Sequence, residues 1–307
     1  MRIFLTGGAG MVGRNFLESP LNEGHEIFAP SSAELDLRDY DALHQYLQKT
    51  CPDYVVHCAG KVGGINANIR EPVGFLVENL DIGRNVIMAS KNAGVKRLLN
   101  LGSSCMYPRN YSSPLREEMI LSGELEPTNE GYALAKIVAA RLCDYISRED
   151  EAFQYKTLVP CNIYGRHDKF DPKNSHMVPA IIHKLHLAKQ NNISEVDIWG
   201  DGHARREFLY AGDLSDCMWR ALVDFEHMPQ VMNVGLGMDY SVNEYYEKVA
   251  EVIGYTGHFT HDLSKPVGMK QKLVDVTKSS TWGWQAATSL QEGIALTYDF
   301  YLEKEKL

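Results

Sequence analysis

The chain alternates short, almost wholly apolar runs with longer stretches in which apolar residues recur every three or four positions. Residues 2–6, 25–29, 53–58, 96–102 and 155–160 show the first pattern and predict β-strands. Residues 11–20, 39–50, 71–93 and 130–148 show the second and predict amphipathic helices. Strands that alternate with helices of that length form right-handed βαβ units, which build a parallel sheet. Strands apolar on both faces fit a sheet that helices cover on both sides. The expected fold is α/β, a Rossmann-like doubly wound parallel sheet.

After about residue 164 the rhythm changes. Asn162-Ile163-Tyr164-Gly165 leads into a polar loop, 166–175, and then a helical run at 176–190. Strands are expected at 195–199 and 231–234, and helices at 213–225 and 241–254. The regular βαβ signal is weaker here, so a smaller mixed α/β lobe is expected to cover the first. The division this suggests assigns 1–165, with returning elements at about 207–235, to one domain. About 166–206 and 236–307 then form the other, with a cleft between them.

Composition narrows the class without changing it. A 44 % hydrophobic and 23 % charged chain has the make-up of an ordinary globule. A net charge of −9 gives no global attraction for nucleic acid. No apolar run approaches the ~20 residues of a membrane span, and the N-terminus shows no signal-peptide pattern. The six cysteines, at 51, 58, 105, 143, 161 and 217, lie far apart with no C-x-x-C. Reduced thiols and a cytoplasmic setting are the expectation.

Thr6-Gly7-Gly8-Ala9-Gly10-Met11-Val12-Gly13 follows the first strand and opens the first helix. Gly7 allows the tight turn, Gly10 lets a pyrophosphate approach the backbone, and Gly13 permits close helix–strand packing. The phosphates of a dinucleotide would rest on the helix N-terminus. Neither an acid nor an Arg follows the second strand, which ends Phe28-Ala29-Pro30-Ser31-Ser32. Asp36 and Leu37 are placed to flank the adenine. These residues leave NAD(H) and NADP(H) both open.

Tyr132 and Lys136 lie one helical turn apart on one face, and Ser103 stands where the fourth strand ends. A tyrosine has an ordinary pKa of about 10, and a neighbouring ammonium is expected to lower it. Tyr132 would then give a proton to a carbonyl oxygen as hydride reaches its carbon, with Lys136 tuning it and Ser103 orienting the carbonyl. The set resembles the extended short-chain dehydrogenases/reductases.

Further segments extend the likeness over nearly the whole chain. They are Lys61-Val62-Gly63-Gly64-Ile65, Gly102-Ser103-Ser104-Cys105-Met106-Tyr107-Pro108, Glu126-Pro127-Thr128-Asn129-Glu130, Asn174-Ser175-His176, and Trp199-Gly200-Asp201-Gly202 through Arg206-Glu207-Phe208. They resemble the GDP-4-keto-6-deoxymannose 3,5-epimerase–4-reductases, the GDP-L-fucose synthase family. That resemblance implies a GDP-sugar substrate, NADPH, and Cys105 and His176 as the proton carriers that invert C3 and C5. A ketone at C4 acidifies the protons on both carbons, and inversion needs a base on one face and an acid on the other.

The resemblance also places Met11, Val12, Leu101, Gly102, Pro160, Asn162, Ile163 and His176 at the cofactor. It places Ser104, Cys105, Lys184, Trp199 and Arg206 at the substrate, and implies a homodimer joined through helices 71–93 and 130–148. His183 and His186 have no third ligand at a metal-binding spacing, so no metal is expected. The chain departs from the family at Ala9 and Ser32, where arginines are usual, and at Val267 and Gln271, where Asp and Arg are. A related GDP-4-keto-deoxy-sugar enzyme, such as a GDP-L-colitose synthase, or a reductase that does not epimerise, is the alternative. A non-catalytic dinucleotide sensor is the distant one. A dehydratase would carry an Asp-Glu pair where this chain has Ser104-Cys105.

Overall fold

The computed structural model describes residues 1–111, 114–171, 175–265 and 269–305. Asn174 of the Asn-Ser-His segment and Val267 lie outside these. In chain order the first half runs β1 (Arg2–Thr6), α1 (Met11–Glu18), β2 (Glu26–Phe28), α2 (Tyr40–Thr50) and β3 (Tyr54–His57). It continues through α3 (Ile65–Arg70), α4 (Pro72–Asn92), β4 (Arg97–Leu101), α5 (Glu130–Glu149) and β5 (Gln154–Pro160). Next come β6 (Asn162–Tyr164), α6 (Met177–Gln190), β7 (Glu195–Trp199), β8 (Arg205–Arg206), β9 (Phe208–Tyr210), α7 (Ala211–Val223) and β10 (Val231–Val234). The chain closes with β11 (Tyr240–Ser241), α8 (Val242–Ile253), β12 (His258–Asp262), β13 (Gln271–Lys272), α9 (Thr277–Thr281) and α10 (Leu290–Glu305).

Six strands form one parallel sheet in the order β10-β5-β4-β3-β1-β2. The strand order reverses between β1 and β3, and α/β sheets hold ligands outside the carboxyl ends of strands at such a point. The apolar runs are explained by the pleat, which sends successive side chains to opposite faces. Ile3, Leu5, Val56, Leu99 and Leu158 enter one buried cluster with α1 and α7, where Phe16 stacks on Trp219 with ring centres 4.3 Å apart. Phe4, Val55, Leu98 and Tyr155 enter another with α2, α4 and α5.

A third cluster, around Ile182, Leu185, Ile198, Tyr245, Val249, Ile294 and Tyr301, holds α6, α8 and α10 against β7 and its neighbours. Local chemistry sets the helix ends. Asp39 caps α2 by accepting from the Ala42 N–H at 3.0 Å, and Ser241 and Glu244 form a reciprocal capping box on α8. Gly254, at φ +73°, ends α8 in the left-handed conformation that favours glycine.

The differences from sequence expectation concern non-local elements. Residues 162–164, which carry no periodicity of their own ahead of the polar loop, form β6 and pair in parallel with β9. The two-residue strands β8, β11 and β13 form a small mixed sheet. Strands this short have no periodicity of their own and exist only through partners distant in sequence. No described helix is long and apolar enough to cross a membrane.

Candidate active site

The carboxyl ends of β1, β3, β4 and β5 open into a cleft of about 1300 Å³. That exceeds the ~300–1,000 Å³ of an ordinary small-molecule pocket, and gives room for two ligands side by side. Of the residues expected at the site, Gly7, Gly10, Met11, Val12, Gly13, Asp36, Leu37, Leu101, Gly102, Ser103, Ser104, Cys105, Tyr132, Lys136, Pro160, Asn162, Ile163, His176 and Arg206 all line it.

The glycine turn fits a dinucleotide. A Cβ on Gly13 would lie 2.3 Å from the Gly7 carbonyl oxygen, so only glycine lets α1 seat on the turn. A Cβ on Gly10 would meet nothing closer than that same oxygen at 3.4 Å, which leaves the space above this backbone open. No side chain caps α1 at Gly10, and the first N–H groups of a helix have no intrahelical acceptor. Together these form a cradle for an anion. Beneath it Thr6 Oγ1 accepts from the Ala59 N–H at 3.1 Å and is 2.8 Å from His57 Nδ1, tying β1 to β3. Burial and the nearby Lys136 ammonium hold His57 down at about 3, so it is neutral.

At the adenosine end, Ser31, Ser32 and Arg38 border the cleft. Arg38 is bound to both oxygens of Asp36, at 2.7–3.2 Å, and holds that carboxyl down at about 2. At the other end the Lys61 loop is fastened to α4. Asn79 accepts from the Lys61 N–H at 2.9 Å and donates to its carbonyl at 3.1 Å, while the ammonium pairs with Glu78 and Glu71.

Ser103 lies just past β4 and accepts from the Cys105 N–H at 3.2 Å. Tyr132 and Lys136 come from one face of α5. The expected lowering of the Tyr132 pKa is not what the packing produces. Burial and the adjacent Cys105 push the phenol up, and a hydrogen bond with Ser103 offsets this only in part. Lys136 Nζ donates to the Leu101 carbonyl at 2.9 Å and lies 5.9 Å from the centre of the Tyr132 ring. Its own pKa drops to about 8 because it is buried. The cation therefore answers to a carbonyl, and burial with Cys105 sets the direction of the phenol's shift.

Cys105 follows in a short turn, and its Sγ accepts from Asn129 Nδ2 at 3.2 Å. His176 enters from the start of α6. It is open to the cleft, yet the surrounding protein and the Lys169 ammonium hold its imidazole below the ordinary range. Arg206, on β8, donates to the Arg205 carbonyl at 2.8 Å, and burial lowers its pKa.

Two expected substrate residues do not border the cleft. Lys184 is turned to Asp197, reaching its carbonyl at 2.5 Å and its carboxylate at 2.8 Å. Trp199 is 57 % exposed at the end of β7, with the Lys265 ammonium 5.5 Å from its ring. Asn129, Thr128, Lys61 and Lys272 line the cleft without a role read from the sequence. The Lys61-Val62-Gly63 and Glu126–Glu130 segments were the only signal that pointed to three of them.

Residues 3–235 match the model of the NAD dependent epimerase/dehydratase family. The chain is 53 % identical to a GDP-L-colitose synthase of Yersinia pseudotuberculosis, over 99 % of each chain. It is 50 % identical to a GDP-L-fucose synthase of Azorhizobium caulinodans, over 98 % of this chain and 96 % of that one. Among solved structures, the GDP-mannoheptose C4 reductase MlghC of Campylobacter jejuni, with NADP bound, superposes with a TM-score of 0.89 at 31 % identity over 98 % of both chains. The glycine cradle, the Ser103–Tyr132–Lys136 group and this full-length likeness make the chain a member of the NAD dependent epimerase/dehydratase family.

Proposed function

We propose that this protein is an NADPH-dependent GDP-L-fucose synthase, which inverts C3 and C5 of GDP-4-keto-6-deoxy-D-mannose and reduces the C4 ketone. The observation that carries the reading is that one cleft gathers Ser103, Tyr132 and Lys136 together with Cys105 and His176. Reduction needs the first three. A thiol and an imidazole beside them add the two proton carriers that inversion needs.

Cys105, as thiolate, takes the proton from a carbon next to the ketone, and the electron pair moves onto the ketone oxygen. Ser103 and Tyr132 hydrogen-bond that oxygen and stabilise the enolate. His176, entering from the second lobe, returns a proton to the opposite face. When bound, the dinucleotide supplies the hydride that C4 receives. Tyr132 then protonates the C4 oxygen, and its raised pKa keeps the proton in place until that moment. Arg206 is set to hold a phosphate of the GDP moiety. At the adenosine end, Ser31, Ser32 and Arg38 offer hydroxyls and a guanidinium where the family arginines are missing. The NADP-bound relative supports NADPH.

In this reading residues 1–165 with 207–235 hold the dinucleotide, and 166–206 with 236–307 hold the sugar nucleotide, while Val274 and Trp284 pack back into the first cluster. A homodimer is supported by an exposed apolar stripe. Val73 and Val77 on α4 and Leu134, Val138 and Tyr145 on α5 all face solvent. The six free thiols fit a reducing, cytoplasmic setting.

The test is turnover of GDP-4-keto-6-deoxy-D-mannose with NADPH or NADH, with NMR of the product. GDP-L-fucose formed with NADPH is expected. Cys105→Ser is expected to give the uninverted D-manno product, and Tyr132→Phe to slow reduction by about 10²–10⁴-fold while deuterium still enters from solvent at C3 and C5. A D-manno product from the unaltered protein would sink the epimerase assignment, and a preference for NADH the cofactor assignment. The 53 % likeness to a GDP-L-colitose synthase favours a second reading, in which the sugar is a different GDP-4-keto-deoxy hexose. Failure to turn over the first substrate, with turnover of the second, selects it.

A further inference from the structure

Helix α5 begins without the cap that its sequence supplies. Asn129 stands at the N-cap, where an asparagine oxygen ordinarily accepts from the first free N–H groups of the helix. No such bond is made. The side chain is turned onto Cys105 instead, with Nδ2 donating to Sγ at 3.2 Å. Oδ1 is buried and has no partner. A forgone cap and an unsatisfied buried oxygen both destabilise a fold. Here both accompany a single contact to a sulfur in the cleft.

We infer that Asn129 is a positioning residue for Cys105, whose amide N–H holds the sulfur in the cleft as the thiolate. The inference rests on Cys105 being the base proposed above. An N–H bond to a thiolate is charge-assisted and stronger than the same bond to a neutral thiol, so it moves the thiol equilibrium toward the ion. The amide stands at the N-cap of a 20-residue helix, and the positive end of the helix dipole acts in the same sense.

The other charged or titratable groups that line the cleft are Tyr107 after β4, Glu126 from the loop before α5, Tyr132 and Lys136 from α5, Cys161 after β5, His176 just ahead of α6, Arg206 from β8 and Lys272 from β13, with Cys58, Lys61 and Glu78 on the β3–α4 side and Asp36 and Arg38 at the adenosine end. Glu130 is exposed in the first turn of α5. Glu126 and Glu130 oppose a thiolate and the cations favour it, so the asparagine is the neutral group that acts through direct contact. The same sulfur charge raises the Tyr132 phenol, which keeps a proton on Tyr132 for the later reduction.

The test is the pH dependence of iodoacetamide alkylation of the full-length protein, followed on the peptide that carries Cys105. This reads the thiol's titration whether or not Cys105 acts on a sugar. Asn129→Ala is expected to raise the midpoint by about one pH unit, a tenfold smaller thiolate fraction at neutral pH. Asn129→Asp keeps the shape and is an equally good helix cap, but it replaces the donor by an acceptor, so its midpoint should rise at least as far. Deuterium exchange at C3 and C5 should fall about tenfold in Asn129→Ala at neutral pH and recover above the new midpoint. Unchanged midpoints in both variants overturn the inference. So does a lowered midpoint, which would mean that the amide accepts from the S–H. A raised midpoint with unaltered exchange supports the role of Asn129 and overturns Cys105 as the base.

Discussion

Lys136 shows how a single residue's chemistry depends on its surroundings. Its ammonium is buried and donates to one carbonyl, and its pKa falls from 10.5 to about 8. Between those values the unfolded chain holds a proton that the folded chain has released, so stability rises with pH across that window. The penalty is fully present below pH 8 and gone above about 10.5, and it amounts to roughly 3 kcal/mol. Lys136→Met removes the titration. The stability of the natural protein relative to this variant, from urea unfolding without dinucleotide, should rise by about 1–3 kcal/mol between pH 7.5 and 10.5. A flat difference would show that the ammonium is solvated in the fold. The sequence places Lys136 beside Tyr132 by helical spacing. It does not reveal the Leu101 carbonyl that the ammonium meets.

At the scale of elements, the turn between β1 and α1 separates two uses of glycine that look alike in sequence. Gly13 has no room for a Cβ, since the Gly7 oxygen would be 2.3 Å away and Gly8 Cα 2.7 Å away. Gly13→Ala should therefore destabilise the fold by about 1–3 kcal/mol, as overpacking does. Gly10 has room and an ordinary extended conformation at φ −81°. Gly10→Ala should leave the melting temperature within about 2 °C, a change of less than ~0.5 kcal/mol, yet weaken NADPH binding at least about tenfold, because the methyl group occupies the pyrophosphate's approach. Thermal melts and NADPH fluorescence titration read the two effects. Equal loss of stability in both variants would deny Gly10 its separate role.

For the molecule as a whole, the exposed stripe on α4 and α5 carries the homodimer proposal. Val73 is 72 % exposed and Tyr145 52 % exposed, and an apolar stripe across two packed helices is the kind of surface that associates. Light scattering after gel filtration should show a dimer, and Val138→Glu with Tyr145→Glu should give a folded monomer. A monomer from the unaltered protein removes the proposal. Exposure, which decides this, is a property of the assembled fold: the sequence shows the helical period of Val138 and Leu142 but not which of them meets solvent. Leu142 is partly buried against the second cluster, and Val138 is exposed.

The sequence by itself determined whatever depends on consecutive residues. That covers the βαβ rhythm of the first half, the glycine turn at residues 7–13 and the Tyr132–Lys136 spacing, because backbone geometry ties each pattern to one local conformation. The tertiary structure alone decided the rest. β6 exists through β9, Lys184 answers Asp197 instead of the cleft, and Asn129 turns from its helix to Cys105. Burial reverses the expected shift of Tyr132. Desolvation and hydrogen bonding are set by groups that folding brings from far along the chain, and no local pattern records them.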